Sequence, residues 1–403
     1  MTGKHLHCEA YSNLWYNNYG LYIKSGGGEF IMSNADKMGN LTSRKVRITE
    51  LMKEKGVKAL VLSPSMNLLY TTGFNTFPGE RLLAAILDDS GEIVFIAPRM
   101  YEQEVKEKAI FDRIISWDDS QDPGDILKSL CIEKGYTGVT AAIEDTMWFS
   151  AFEKIYSSFK QAKFIKASGV IGELRKYKTA DEADKMRKSS ELAEQALGRV
   201  IPLIKAGMKE IEVRDLLETE MKKQGLMSPS FETIIGSGSN SALPHYTAGD
   251  KVLKDGDSIV IDFGGMYQGY CSDMTRTVML GKATPEYREV YETVREAQRR
   301  AAEAVKPGMK ASEIDAAARN HITEKGYGEY FIHRTGHGIG MEVHEEPYIS
   351  DISKAVLEPG MVFSIEPGIY LPGKFGVRIE DLVMVTETGV EVLNKYTKEL
   401  IEI

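Results

Sequence analysis

Four acidic residues stand in or beside the most apolar, β-patterned runs in the second half of this 403-residue chain, and that conflict limits what it can fold into. Asp262 closes the run Ile259-Val260-Ile261, and Asp273 precedes Met274-Thr275 beyond the turn at Gly264-Gly265. Glu366 follows Phe363-Ser364-Ile365, and Glu380 follows Val377-Arg378-Ile379 in the next strand pattern, beyond a turn around Pro372-Gly373. Antiparallel strands joined by the glycine turn would bring Asp262 and Asp273 together. Buried anions that meet repel, and they are tolerated when a proton or a cation lies between them. The alternative at each position is a solvated acid at a strand end. Four such placements together point to a shared metal site.

The expected nitrogen ligand is His337, in His333-Arg334-Thr335-Gly336-His337-Gly338-Ile339-Gly340, where glycines let backbone approach closely. The chain has seven histidines, and His333, His337 and His344 fall within one short segment. Such clustering argues for a site over scattered surface residues.

Composition excludes other classes. The net charge is −9 and basic residues are interspersed with acids, so no basic stripe offers itself to a phosphate backbone and no nucleic-acid partner is expected. No apolar run approaches the roughly 18 residues that cross a bilayer, so no membrane partner is expected either. Cys8, Cys131 and Cys271 are odd in number and far apart, which fits neither a disulfide framework nor a CxxC zinc site. A reducing compartment, the cytoplasm, is the expectation.

Residues 1–40 carry clustered Tyr and Asn and the run Gly26-Gly27-Gly28, with no basic segment leading into an apolar one, and read as a leader outside the fold. Over residues 41–167 strand and helix periods alternate: a helix at 44–55, a strand at 59–63, and a hairpin of 82–87 with 92–97 across Asp88-Asp89-Ser90-Gly91. That alternation predicts a compact α/β domain. Residues 168–403 read as α+β, with helices over 179–226, broken at Lys205-Ala206-Gly207-Met208, and over 284–327. Strands are expected at 231–235, 258–280, 362–370 and 376–385. Gly207-Met208-Lys209 with Glu212, Val213 and Gly225 recurs as Gly308-Met309-Lys310 with Glu313, Ile314 and Gly326. Two related halves would lay their strands side by side as one curved sheet with helices outside.

The ordered set Asp262, Asp273, His337, Glu366 and Glu380, within the phrases IDFGGMYQGYCSDMTRT, HRTGHGIGMEVHEEP and SIEPGIYLPGKFGVRIED, resembles the pita-bread metallopeptidases: Xaa-Pro dipeptidases (prolidases), aminopeptidases P and methionine aminopeptidases. Residues 42–166 look like the smaller N-terminal domain of prolidases, aminopeptidases P and creatinase. Simple methionine aminopeptidases lack that domain, and creatinase lacks the metal set that is intact here. The resemblance implies an α+β fold, a C-terminal pita-bread domain with a curved antiparallel sheet and outer helices, preceded by a creatinase-type α/β domain. It also implies a homodimer.

The activity implied is metal-dependent hydrolysis of the bond before proline, by an Xaa-Pro dipeptidase or, on longer peptides, an aminopeptidase P. A pita-bread binding module without catalysis is a third class, and retention of every ligand argues against it. The resemblance implies two divalent ions, which the oxygen-rich donor set suits to Mn²⁺ foremost, with Co²⁺ and Zn²⁺ as alternatives. Asp273, His337 and Glu366 would serve one ion, while Asp262 and Glu380 join both or complete the other. The implied nucleophile is a hydroxide bridging ions about 3.5 Å apart. Glu366 would act as general base and carry the proton to the leaving nitrogen.

His245, in Leu243-Pro244-His245-Tyr246, and His344, in Val343-His344-Glu345-Glu346-Pro347, match the family's two non-ligand histidines and would bind substrate and stabilise the oxyanion. His333 is a further candidate for the substrate pocket. Arg378, two residues from Glu380, and Thr275, two from Asp273, would orient ligand carboxylates. Some prolidases carry Arg just after the HExP phrase to anchor a substrate carboxylate, whereas Tyr348 stands there here. Arg81 or a basic residue from a second subunit are the open alternatives.

Overall fold

The hairpin expected across Asp88-Asp89-Ser90-Gly91 forms from Ala84–Asp88 and Ile93–Pro98, antiparallel, with Gly91 at a φ of 94° in its turn. It belongs to a six-stranded mixed sheet in the order Arg113–Trp117, Ile93–Pro98, Ala84–Asp88, Ala59–Leu62, Thr140–Ile143, Lys163–Lys166. Helices Pro123–Lys134 and Phe149–Ser158 bury Leu127, Leu130 and Ile155 in one cluster with Val61, Ile86 and Val94 of that sheet. The computed structural model describes residues 34–403, and the chain divides between Arg175 and Lys176 into this unit and a second one.

The first helix is Asn34–Glu54, starting well before the expected residue 44. No proline interrupts this stretch, and a lone glycine such as Gly39 costs a helix only about 1 kcal/mol. Residues 34–40, expected in the leader, are therefore helical. The rest of that expectation, residues 1–33, lies outside the described residues.

In the second unit the internal echo is a structural repeat. Helices Ala180–Val200 and Glu210–Gln224 form one pair, Pro285–Ala304 and Ala311–Glu324 the other. Between the members of each pair, Gly207 and Gly308 sit at φ of 92° and 87° and donate their N–H groups to Leu253 and Leu357 at 2.9 and 2.8 Å. Lys209 and Lys310 bridge to Val252 and Val356, and their N–H groups are capped by Glu212 and Glu313.

Each pair covers its own sheet. The first contains Ile234–Ser237, Ser258–Phe263 and Met274–Met279, all antiparallel, with Ile401–Glu402 added parallel to the last. The strand expected at 231–235 is thus shifted towards the C-terminus. The second sheet runs Glu345–Ile349, Gly336–Gly338, Val362–Ile365, Asp381–Val385, Val390–Val392. Val213, Leu217, Ile235 and Ile261 share one apolar cluster; Val294, Ile314, Phe363 and Val383 share the other.

Where one curved sheet was expected, the ladder is interrupted between the halves. They join through Thr277, whose hydroxyl donates to the Arg378 carbonyl at 2.8 Å and accepts from the Arg378 N–H at 3.0 Å. Beside that contact, the Glu380 N–H donates to the Thr275 carbonyl at 3.1 Å.

Candidate metal centre and cleft

The seam between the repeats is also where the acids meet. Register pairs Thr275 with Asp262, so Asp273 and Asp262 come from neighbouring positions on adjacent strands. Glu366 and Glu380 lie between strands instead of within them. Val362–Ile365 stops before Glu366, where Pro367 cannot donate to a ladder, and Gly368–Leu371 begins a separate hairpin with Phe375–Arg378. Glu380, expected within a strand, falls where the chain leaves that hairpin and Asp381–Val385 starts to pair with Val362–Ile365. A change of pairing partner frees residues from the ladder, and that break directs the carboxylate to the seam.

All five expected ligands, Asp262, Asp273, His337, Glu366 and Glu380, line one cleft of about 520 Å³, together with His245, His333 and His344. Asp273, His337 and Glu380 each offer a ligand atom within 4.8 Å of the others. His337 Nε2 lies 3.3 Å from Glu366 Oε1 and 3.7 Å from Asp273 Oδ2. The His337 backbone N–H donates to Ser364 Oγ at 3.1 Å, and Ser364 donates to Glu366 Oε1 at 3.1 Å. The ring centroids of His337 and His344 are 4.3 Å apart.

Arg378 donates to Asp262 through Nη2, to the Tyr370 hydroxyl at 2.8 Å and to the Pro244 carbonyl at 3.2 Å through Nη1, and to Thr275 Oγ1 at 3.1 Å through Nε. The Thr275 hydroxyl in turn donates a hydrogen bond to Glu380 Oε2 at 2.7 Å, so the acid it holds is Glu380 and not Asp273 as its spacing suggested. Both nitrogens of His333 are engaged by the protein. Nδ1 donates to the Arg334 carbonyl at 2.7 Å, which leaves Nε2 to accept from the Tyr370 hydroxyl at 2.8 Å.

The electrostatics record the crowding of like charge. Burial raises Asp273 well above the usual carboxylate range, and the neighbouring Glu380, Asp262 and Glu366 raise it further. Glu380 is raised well above its ordinary value by burial and then by Glu366 and Asp262. Burial pushes Glu366 up to about 7 against the pull of Arg378. His337 is pushed down to about 3 by burial and then by His344, which suits a neutral ligand imidazole. Burial lowers His344 as well, with Arg334 adding to it.

These residues fit divalent cations. Oδ1 of Asp262 and Oδ1 of Asp273 are buried with no hydrogen-bond partner, a cost that a cation between them removes. Four carboxylates and one imidazole form a hard donor set with a single nitrogen.

Sequence reasoning passed over Arg334 and Tyr370. Arg334 lines the cleft with its guanidinium 4.4 Å from the centre of the Tyr348 ring, and no acid lies within ion-pair distance of it among the described residues. Its place inside the three-histidine segment was the available signal. Arg81, one of the two anchors left open, has its guanidinium held by Asp119 at 2.8 and 2.9 Å.

Residues 184–387 match the model of metallopeptidase family M24, and residues 44–177 match the creatinase/prolidase N-terminal domain. The Xaa-Pro dipeptidase of Pyrococcus furiosus is 39% identical over 361 residues, which cover 90% of this chain and 100% of that protein. Among solved structures, a recombinant prolidase from Thermococcus sibiricus is 40% identical with a TM-score of 0.87, covering 90% of this chain and 99% of that one. An X-Pro aminopeptidase from Thermotoga maritima is 36% identical with a TM-score of 0.79, covering 89% and 99%.

Proposed function

We propose, from the premise that this chain belongs to metallopeptidase family M24 and is a metal-dependent peptidase, that its reaction is hydrolysis of the Xaa-Pro bond and its preferred substrate a dipeptide. The fold is the pita-bread domain with a creatinase-type domain before it. The observation that carries the dipeptide reading is Arg334, a cleft cation with no acid among the described residues within ion-pair distance, in a cleft whose other arginine is committed to Asp262.

Asp262, Asp273, His337, Glu366 and Glu380 would hold two divalent ions, Mn²⁺ foremost. When bound, such ions lower the pKa of a water and polarise the scissile carbonyl. Glu366 is the general base: its side chain is 16% exposed while that of Asp273 is 5%, so it is the more open to a water in the cleft. It accepts the water proton and delivers it to the proline nitrogen, which leaves poorly from a tertiary amide unless protonated. His245 and His344 donate hydrogen bonds to the carbonyl oxygen as it gains charge. Arg334 binds the carboxylate that ends a dipeptide. His333 contributes a ring wall, since its nitrogens are occupied.

Similarity to the Thermotoga maritima aminopeptidase supports a second reading, removal of an Xaa residue from longer Xaa-Pro peptides. Rates on Ala-Pro and Ala-Pro-Ala with added Mn²⁺ separate the two. Cleavage of the tripeptide without the dipeptide overturns the dipeptidase reading. A homodimer is part of the proposal, and sedimentation as a fully active monomer overturns it. The buried free thiols of Cys131 and Cys271 support a reducing compartment, the cytoplasm.

A further inference from the structure

Glu210 is fully buried outside the metal centre, at the first turn of Glu210–Gln224, and its carboxylate gathers four donors. Ser237 gives its N–H at 2.8 Å and its hydroxyl at 2.6 Å to Oε1, Asn240 reaches the same oxygen at 3.1 Å, and the Tyr246 hydroxyl donates to Oε2 at 2.8 Å. Those residues span the segment that enters the cleft, with Pro244, His245, Tyr246 and Thr247 on its wall. The same segment braces the hairpin that carries Arg378: Ser241 Oγ accepts from the Gly376 N–H at 2.8 Å, and Pro244 accepts from Arg378. The internal repeat supplies the contrast. The position equivalent to Glu210, next after Lys310, is Ala311, equally buried and starting a helix of the same kind. A buried acid is therefore no requirement of this helix start.

We infer that Glu210 is a positioning residue for the reaction, holding His245 in its working place through Tyr246, Ser237 and Asn240. A carboxylate offers these donors acceptors only, whereas an amide turns an N–H₂ towards Tyr246 or Asn240. The inference rests on the catalytic role proposed for His245.

The test is a double-mutant cycle on Ala-Pro hydrolysis with metal-loaded protein. Glu210→Gln is expected to lower kcat about 10- to 100-fold, less than the roughly 100- to 1,000-fold of an oxyanion donor removed outright, with KM and metal content nearly unchanged. In a His245→Ala background the same substitution should cost less than about twofold, because its effect runs through the missing ring. Tyr246→Phe, which removes one hydroxyl, should show the same coupling at smaller size and serves if Glu210→Gln fails to fold. Equal losses in both backgrounds, or a lower melting temperature with kcat intact, overturn the inference while leaving the peptidase reading standing. Full activity of His245→Ala overturns the role of His245 itself, and this inference with it.

Discussion

Arg378 and Asp262 form a buried ion pair, Nη2 to Oδ2, at the point where the two repeats meet. Burial works against the Arg378 charge, yet Tyr370, Asp262, Glu366 and Glu380 around it hold its pKa well above the ordinary value. Lysine would keep the charge and lose the fork that reaches Asp262, Tyr370, Pro244 and Thr275 at once. Arg378→Lys is therefore expected to weaken metal binding and kcat/KM by about 10- to 100-fold with the fold retained. Calorimetric titration with Mn²⁺ beside circular dichroism checks it, and unchanged metal affinity counts against the linkage.

Metal binding should stabilise this protein more as pH rises. Without metal, Glu366 has its pKa raised from 4.5 to about 7 by burial. Its contribution to stability is complete below about 4.5 and is lost as pH rises through 7. Asp273 and Glu380 are raised in the same sense. A bound cation takes the place of those protons, so affinity increases as they leave. Melting curves with and without Mn²⁺ should differ more at pH 8 than at pH 5, and equal differences contradict the assignment of these acids as ligands.

Arg334→Ala should separate dipeptides from longer peptides. A charge-assisted hydrogen bond is worth about 1.5–3 kcal/mol, so losing one to the terminal carboxylate raises KM for Ala-Pro about 10- to 100-fold. Ala-Pro-Ala, whose proline carbonyl continues into a peptide bond, should change far less. Parallel kinetics on both substrates decide the matter, and equal effects would remove Arg334 as the anchor.

Two glycines near the proposed metal ligands have no room for a methyl group. A Cβ on Gly264 would lie 1.8 Å from the Ser272 carbonyl oxygen, and one on Gly336 would lie 1.8 Å from that of Ser364. Gly264→Ala and Gly336→Ala should each cost about 1–3 kcal/mol or more, since backbone must shift. Gly389 has open space, so Gly389→Ala is the control with little change. Urea denaturation of the three variants checks the order.

Much of the site was legible because its chemistry conflicts with its setting. An acid after Ile259-Val260-Ile261, or between Ile379 and a further strand, is costly unless something balances it, and that cost is visible in one dimension. The repeat was legible for a similar reason, since a glycine at positive φ and a capping glutamate leave fixed letters at fixed spacing. Arg334 broke no local rule: an arginine in a loop is ordinary, and that no acid among the described residues lies within ion-pair distance of it is visible only in three dimensions. Thr275 illustrates the opposite limit. Spacing along its strand favoured Asp273, but the hydroxyl turns across the seam to Glu380, a residue far away in sequence. The break at Glu380 was equally hidden, because 375–385 has the alternation of one strand and only the exchange of partners divides it.

Asp262 and Asp273 belong to the first copy of the repeat, while His337, Glu366 and Glu380 belong to the second. Each copy has an apolar cluster largely its own, while the five proposed ligands are divided two to three between them. Cations held by that set would act as rivets driven through a joint, so a chelator is expected to loosen this molecule from its middle.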